Sequence, residues 1–441
     1  MAAVFCLALI AYYTAILRNG RNGGSDLARL LWVTFFALGC SAFIIQITEV
    51  SEPVFSPNYP ATLYLVFCIL IGITGFLSFR SRDVGDVVVS IRGQGFIETF
   101  LLALQFFSIA FFLPFATSSL GGDANANRLD LGSTTQVLAS YGVINTVAGM
   151  ASHLFAASIV MALIRLSQSK ENGGSVSRAA LLLFASLSYV IYIFAYVGRD
   201  GVVYWLMTAG AIFLIFRAHL PLPLRRKVFA VGASLGGLLI LPLATITIAR
   251  FADADVGISG SLLEYFGSQI NNFSDFSSIT RPTTSGAMNF PIFKEAVCTI
   301  ISLGDCESWR NIKPFIFDQY IAQGKVPWVF ATYVSDFVAD FGYFGAFVLL
   351  VMYSVICHVV CVGRGGGRRM SLSRLLLILF LFFGPYWGVF YFRFGIVNAF
   401  IVVNLAFVVF IWVVHRFAPN VPLKETVFSG SLSAGRLRSQ S

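Results

Sequence analysis

Residues 196–210 read YVGRDGVVYWLMTAG. Arg199 and Asp200 stand side by side between two long apolar runs, bracketed by Gly198 and Gly201. A charged pair in that setting reads either as the tight turn of a helical hairpin or as the charged floor of a site. Apolar runs lie beyond it in both directions. Of the 441 residues, 57% are hydrophobic and 12% charged, against roughly 25% charged in a soluble domain. With a mean hydropathy of +0.80, the composition is that of a chain written for lipid. A transmembrane helix takes roughly 20 mostly apolar residues. About eleven such runs occur, near 2–17, 30–48, 61–79, 96–116, 141–164, 179–197, 202–217, 228–248, 341–362, 375–392 and 396–414. The expected fold is an all-α polytopic membrane protein. No basic segment precedes the first apolar run, so a cleavable signal peptide is not expected.

The basic residues orient the helices. Nine of the 30 lie on one set of alternate connections: Arg128, Arg199, Arg250, Arg281, Lys294, Arg310, Lys313, Lys325 and Arg393. The remaining 21 fall on the other set, which the positive-inside rule places in the cytoplasm. The N-terminus is then outside and the C-terminus inside. A net charge of +9 distributed this way signals topology rather than nucleic-acid binding. The chain divides into a helical part (1–248), one large outer connection (249–340), a second helical part (341–414) and a Ser/Gly/Arg-rich tail (415–441) expected to be disordered.

A connection as long as 249–340 is uncommon unless it is functional or disordered, and its aromatic content favours a folded one. Within it, Leu262, Phe266, Ile270 and Phe273 recur at helical spacing. They predict an amphipathic helix that either lies on the membrane surface or covers a small core of the connection itself. Trp309, Phe315, Phe317, Tyr320 and Trp328 follow, as stacking faces for sugars or as an interfacial belt. Cys298 and Cys306 share an oxidising compartment and predict a local disulfide. Cys6, Cys40 and Cys68 read as small core residues. Cys357, His358 and Cys361 lack a further ligand nearby, so packing is favoured over metal. No carboxylate cluster suggests a metal site elsewhere, and neither metal nor cofactor is expected.

Ionisable residues within membrane spans usually mark a pathway. His153 is the one near a span's midpoint, which disfavours an ion-coupled transporter. Polar chemistry gathers at the outer ends instead. Arg199, Arg250, Arg281 and Arg393 lie there with Asp200, Asp253, Asp255, Asp336 and Asp340. Guanidinium groups make two-pronged contacts to phosphate and keep their charge in dry surroundings. Singly, each is explained as an anchor or an ion pair; together they suggest a site for a lipid-linked phosphate or pyrophosphate.

Three features resemble the bacterial O-antigen polymerases of the Wzy type, which join oligosaccharide repeat units. Arg199 and Gly210 are separated by ten residues, matching an Arg-x10-Gly pattern. Residues 326–347, VPWVFATYVSDFVADFGYFGAF, are similar to a family segment ending in DFGxxG at the start of a late span; here this covers Asp340, Phe341, Gly342 and Gly345. The large outer connection between a hairpin and that late span is the third. The resemblance spans roughly 180–400 and implies a GT-C-like, metal-independent glycosyltransferase of the bacterial inner membrane. Its partners would be polyprenyl-pyrophosphate-linked glycan donor and acceptor, the lipid bilayer, and possible companions in a chain-length regulator and a flippase. Arg199 would hold the pyrophosphate, helped by Arg250, Arg281 and Arg393, with Gly210, Tyr333 and Trp328 at the substrate. The related ligases carry a histidine in an outer loop. The four here, at 153, 219, 358 and 415, lie elsewhere, which favours a polymerase and leaves Asp336 or Asp340 as the base or as helix caps. A flippase or other transporter, a ligase and a non-catalytic assembly partner are the rival readings.

The charge pattern makes the topology testable. Reporter fusions at Lys227, Gly366 and Ser441 should read cytoplasm, and one after Asp275 the outer side. An outer reading at Gly366 would break the assignment of the last three spans.

Overall fold

The computed structural model describes residues 1–18, 25–48, 58–89, 93–120, 131–172, 176–196, 198, 200–251, 257–277, 283–301, 316, 318–323, 331–363, 370–396 and 398–417. It is 86% helix, with no strand among the described residues. The helices are α1 (Ala2–Tyr12, continued by a π-helical turn Tyr13–Leu17), α2 (Asp26–Thr48), α3 (Tyr59–Thr74), α4 (Val84–Val89), α5 (Gln94–Leu120), α6 (Leu131–Ser140), α7 (Val143–Ser152), α8 (Phe155–Asn172), α9 (Val176–Ala185), α10 (Ser188–Ala195), α11 (Asp200–Phe216), α12 (Leu222–Phe251), α13 (Gly257–Phe276), α14 (Pro291–Ile301), α15 (Thr332–Val362), α16 (Leu372–Trp387), α17 (Arg393–Ile396) and α18 (Asn398–Phe417).

Among the described residues, five helical stretches are long and apolar enough to cross a membrane: Asp26–Thr48, Gln94–Ser119, Val176–Ala195, Thr332–Val362 and Asn398–Phe417. A bent pair, α7 and α8, makes a sixth if counted as one span. Shorter apolar helices occupy Ala2–Leu17, Tyr59–Thr74, Asp200–Phe216 and Leu372–Trp387. The protein is therefore an α-helical membrane protein. Each apolar run expected from sequence coincides with a helix, because a chain without water must satisfy its backbone groups within itself. Large apolar side chains such as Val143, Val359, Phe344 and Trp412 remain exposed on the outside of the bundle, as a lipid-facing surface allows.

Local chemistry sets the helix ends. Asn58 caps α3 by accepting the Ala61 N–H at 3.1 Å, with Pro60 in the first turn. Ser371 accepts the Arg374 N–H at 3.3 Å to open α16. These caps satisfy amides that have no helical partner. Inside α15 the helix breaks at Gly342 (φ 68°, ψ 176°), a conformation that glycine tolerates best. The break falls at the sequence boundary expected for the late span. Asp336 and Asp340 thus belong to a separate helical segment that precedes it.

The amphipathic helix exists as α13 and is seated against the helical part of the chain. Ile270 and Phe273 are buried, whereas Phe266 is exposed and the Leu262 side chain lies outside the described residues. The helix packs along α2 and α3 and buries polar residues as well. Gln46 donates to Asn271 Oδ1 at 3.1 Å, and the Asn58 amide donates to Ser274 Oγ at 3.1 Å. Gly267 makes this approach possible, since a Cβ there would fall 2.7 Å from the Ser41 carbonyl carbon and 2.6 Å from Ile45. Burial of that polar face is decided by α2 and α3, which sequence periodicity within 257–276 cannot see.

Elsewhere Cys298 is disulfide-bonded, whereas Cys6, Cys40, Cys68, Cys357 and Cys361 are free; the remaining cysteine, Cys306, lies outside the described residues. Cys357 packs against Gly75, where a Cβ would sit 2.9 Å from it, and His358 Nδ1 lies 3.1 Å from Ser78 Oγ.

The α13 seat can be tested by overpacking. Gly267→Val should destabilise by about 1–3 kcal/mol and lower the melting temperature of detergent-solubilised protein. Gly237→Ala, where an added Cβ meets nothing within 4 Å, should leave it unchanged or slightly raised. Equal melting temperatures for the two variants would remove Gly267 from the interface.

Candidate functional site

The hairpin turn is built by close approach. A Cβ on Gly198 would fall 2.7 Å from Ile193 Cγ2, and one on Gly201 2.6 Å from Ile193 Cβ. The Gly198 amide donates to the Ile193 carbonyl at 2.9 Å. Both glycines therefore let the turn close over Ile193, and Asp200 becomes the first residue of α11, where the helix dipole favours an acid.

Asp200 finds its cation far away in sequence. Arg393 Nη1 lies 2.6 Å from Asp200 Oδ2, with side-chain exposures of 11% and 29%. The same carboxylate oxygen accepts the Tyr391 hydroxyl at 3.0 Å, and Arg393 Nη1 donates to the Tyr391 oxygen at 2.7 Å. The guanidinium lies over the rings of Tyr204 and Tyr391, at 5.4 and 5.9 Å to their centroids, a cation–π setting. Removing either partner would leave the other charge partly buried and unmatched.

Between these two residues, Phe392 reaches the other motif. Its amide donates to Asp336 Oδ2 at 2.6 Å. Two backbone bonds extend the junction: the Thr332 amide to the Phe390 carbonyl at 3.0 Å, and the Tyr333 amide to the Gly388 carbonyl at 2.8 Å. One helical turn on, Asp340 is fully buried. Its Oδ1 accepts the Thr284 hydroxyl and the Met288 amide at 3.0 Å; its Oδ2 accepts the Asn289 amide at 2.9 Å and Asn289 Nδ2 at 2.7 Å. Asn398 Nδ2 then donates to the Asn289 carbonyl at 3.0 Å. Lys294 Nζ donates to the Thr284 carbonyl at 2.9 Å, closing the 283–294 turn around the carboxylate.

The residues expected at the site are thus partly brought together. Arg393 lies in the 388–398 connection, Asp336 bonds to it directly and Asp340 through Asn289. Tyr333 packs beside it but is 2% exposed, with ring neighbours Phe35 and Phe337, so its face is taken by the core. Gly210 lies within α11, exposed, and an added Cβ meets nothing within 4 Å; at 1.5 Å rise per residue it is about 15 Å along the helix from Asp200. Arg250 is the penultimate residue of α12, and its side chain lies outside the described residues, as do Arg199, Arg281 and Trp328. Among the described residues no cluster of His, Cys, Asp and Glu could hold a metal ion. Sequence reasoning missed Tyr391, Tyr204, Thr284, Asn289 and Asn398. The two asparagines were detectable only as polar residues in apolar surroundings, and Thr284 not at all within its polar stretch.

Asp340 carries a direct test. Asparagine would present its amide group to donors, and an unpaired buried donor costs about 1–3 kcal/mol. Asp340→Asn should therefore lower the melting temperature clearly and open the 283–294 turn to limited proteolysis. Wild-type melting and cleavage patterns would show that the carboxylate is dispensable to the turn.

In comparisons with known proteins, no family model, no curated protein and no solved structure matches the chain.

Proposed function

We propose that the protein is a membrane glycosyltransferase that polymerises polyprenyl-pyrophosphate-linked oligosaccharide repeat units at the outer face of the bacterial inner membrane. One observation carries the reading. Three consecutive residues, Tyr391, Phe392 and Arg393, bond to both stretches on which the family resemblance rests. Tyr391 and Arg393 engage Asp200 of the hairpin, and Phe392 engages Asp336 of the late segment. Segments remote in sequence meet at one place, where the charge pattern puts the outer side of about eleven crossings.

The reaction sets two demands on the protein. The departing lipid pyrophosphate needs positive charge, for which a single well-placed donor commonly supplies about 3 kcal/mol. The acceptor hydroxyl needs a base, a step worth about 100-fold or more. Arg199, between Gly198 and Asp200 in the chain, is assigned to the pyrophosphate, with Arg250 and Arg281 as helpers. Arg393 is already matched by Asp200, so it acts by holding the turn. Asp336 and Asp340 serve in the same way, since their carboxylates bond to the Phe392 amide and to the 283–289 turn.

A transport reading draws on a different observation, the 41° bend between α7 and α8 with buried His153 in the break. Discontinuous helices with polar groups at mid-membrane are a transporter device. The lipid-linked glycan pool of cells lacking the protein separates the two. Single repeat units accumulating outside the membrane mean polymerisation, and accumulation inside means flipping.

The Arg199 assignment depends on a planar two-pronged contact, which the point charge of lysine does not reproduce. Arg199→Lys should lose most polymerisation and Arg199→Ala nearly all, at normal membrane abundance, with single lipid-linked repeats building up outside. Wild-type chain lengths from Arg199→Lys would take this residue out of the site.

A further inference from the structure

At the end of α15 and α16 away from the hairpin junction, a groove of about 380 Å³ opens on the outside of the bundle. α15 and α18 both pack on α16, and all three line the groove. Its walls are Val359 and Val360 of α15, Leu377 of α16, and Val408, Val409 and Trp412 of α18. Val359, Val409 and Trp412 are exposed. Because α15 and α18 are both long and apolar enough to cross a membrane, the medium at this apolar surface is the bilayer.

A cation also lines this oily groove. Arg374 is half-buried. Its Nε donates to the Val360 carbonyl at 2.8 Å and its Nη2 to the Cys361 carbonyl at 2.5 Å, two groups in the last turn of α15 that lack a helical partner. Gly363, at φ 67°, makes room for the guanidinium, since a Cβ there would fall 2.3 Å from Nη1. A helix end carries only about half a negative charge, so the cation stays incompletely matched. Among the described residues no carboxylate pairs with Arg374, and its Nη1 donates to none of them. Nor does the neighbouring sequence supply an acid. From 341 to 424 there is no Asp or Glu, while Arg364, Arg368, Arg369 and Arg416 fall in that stretch. Arg416 is exposed, one helical turn beyond Trp412. A basic pocket between helices at the end of a span is a recurring site for anionic lipid headgroups.

We propose that this groove binds one anionic phospholipid, with an acyl chain along Val359, Leu377 and Val409 and the headgroup phosphate at Arg374. The site is independent of the glycosyltransferase reading. A zwitterionic lipid would cover the apolar walls equally well, but only a headgroup of net negative charge matches the guanidinium. Leu377 lies nearly one helical turn further into α16 than Arg374, so headgroup and chain meet the groove in the order in which the bilayer presents them. Trp412 at the rim suits the interface between headgroups and chains. A second copy of the chain fits less well. A two-fold contact sets the same surface against itself, and here that surface is basic and lacks acids. The lipid would touch α15, α16 and α18 at once and hold their ends together.

The test titrates the full-length protein in detergent with phosphatidylglycerol, and separately with phosphatidylcholine of the same acyl chains, reading bound lipid by native mass spectrometry and stability by melting temperature. The wild type should hold phosphatidylglycerol more tightly than phosphatidylcholine and melt higher with it. Val409→Trp fills the groove from an exposed position, so it should melt normally in detergent alone and lose the bound lipid. Arg374→Gln keeps an amide donor for the α15 carbonyls and drops the charge. It should weaken phosphatidylglycerol about fivefold, the worth of one basic residue near a charged lipid surface, and leave phosphatidylcholine unchanged. If that variant is itself unstable, Val409→Trp decides alone. Equal affinity of the wild type for the two lipids would overturn the anionic headgroup. Unchanged phosphatidylglycerol binding by Val409→Trp would move the lipid elsewhere and overturn the site. A wild-type dimer that Val409→Trp converts to a monomer would make the groove a contact between copies, which also overturns it.

Discussion

Charge removed from water has to be matched inside the fold, and here one short connection matches two carboxylates and braces the partner of a third. Residues 388–398 supply Arg393 and the Tyr391 hydroxyl to Asp200, and the Phe392 amide to Asp336. Through Asn398 they brace Asn289, which in turn bonds to Asp340. Removing one partner of a buried pair is costly because the other charge stays behind unmatched. The α10–α11 hairpin, the first segment of α15 and the 283–294 turn are therefore held as one unit, although they come from distant parts of the chain.

Glycines set how closely these parts approach. Gly198 and Gly201 let the hairpin close over Ile193, and Gly388 accommodates the Tyr333 side chain, where a Cβ would fall 2.8 Å from Tyr333 Cβ. Gly342 supplies the positive φ that separates the acidic segment of α15 from its long apolar remainder. Each approach brings a polar backbone group to a partner, so packing and hydrogen bonding reinforce each other at the junction. By contrast Thr332, a β-branched residue, adopts φ 71° at the point where its amide meets the Phe390 carbonyl. Such conformations persist only where the surroundings over-determine them, and here α15 and the connection after α16 do so.

The same geometry divides labour among the arginines and acids. Arginines at the helix ends look equivalent in a sequence, as cations awaiting a phosphate. In the fold Arg393 has a committed carboxylate and an aromatic nest, which makes it a strut. Asp336 and Asp340 look alike in a sequence; in the fold Asp336 is half-buried with one oxygen accepting the Phe392 amide, and Asp340 is enclosed by Thr284, Met288 and Asn289. His153, which in sequence is a lone histidine in an apolar run, stands at a helix break among the rings of Tyr189, Tyr192 and Phe400.

By itself the sequence determined the all-helical membrane character, the positions of the apolar helices and the turn at Gly198–Gly201. These follow from local causes: run length, hydropathy and glycine spacing. It also put the start of the late span at 341, one residue from the break at Gly342. The pairing of Asp200 with Arg393, the enclosure of Asp340 by Thr284 and Asn289, and the burial of α13's polar face were decided only by tertiary structure. Each joins residues dozens to hundreds of positions apart, and no periodicity records such a partner. A charge in a sequence states a need for compensation; which group meets it depends on where the backbone brings the chain together.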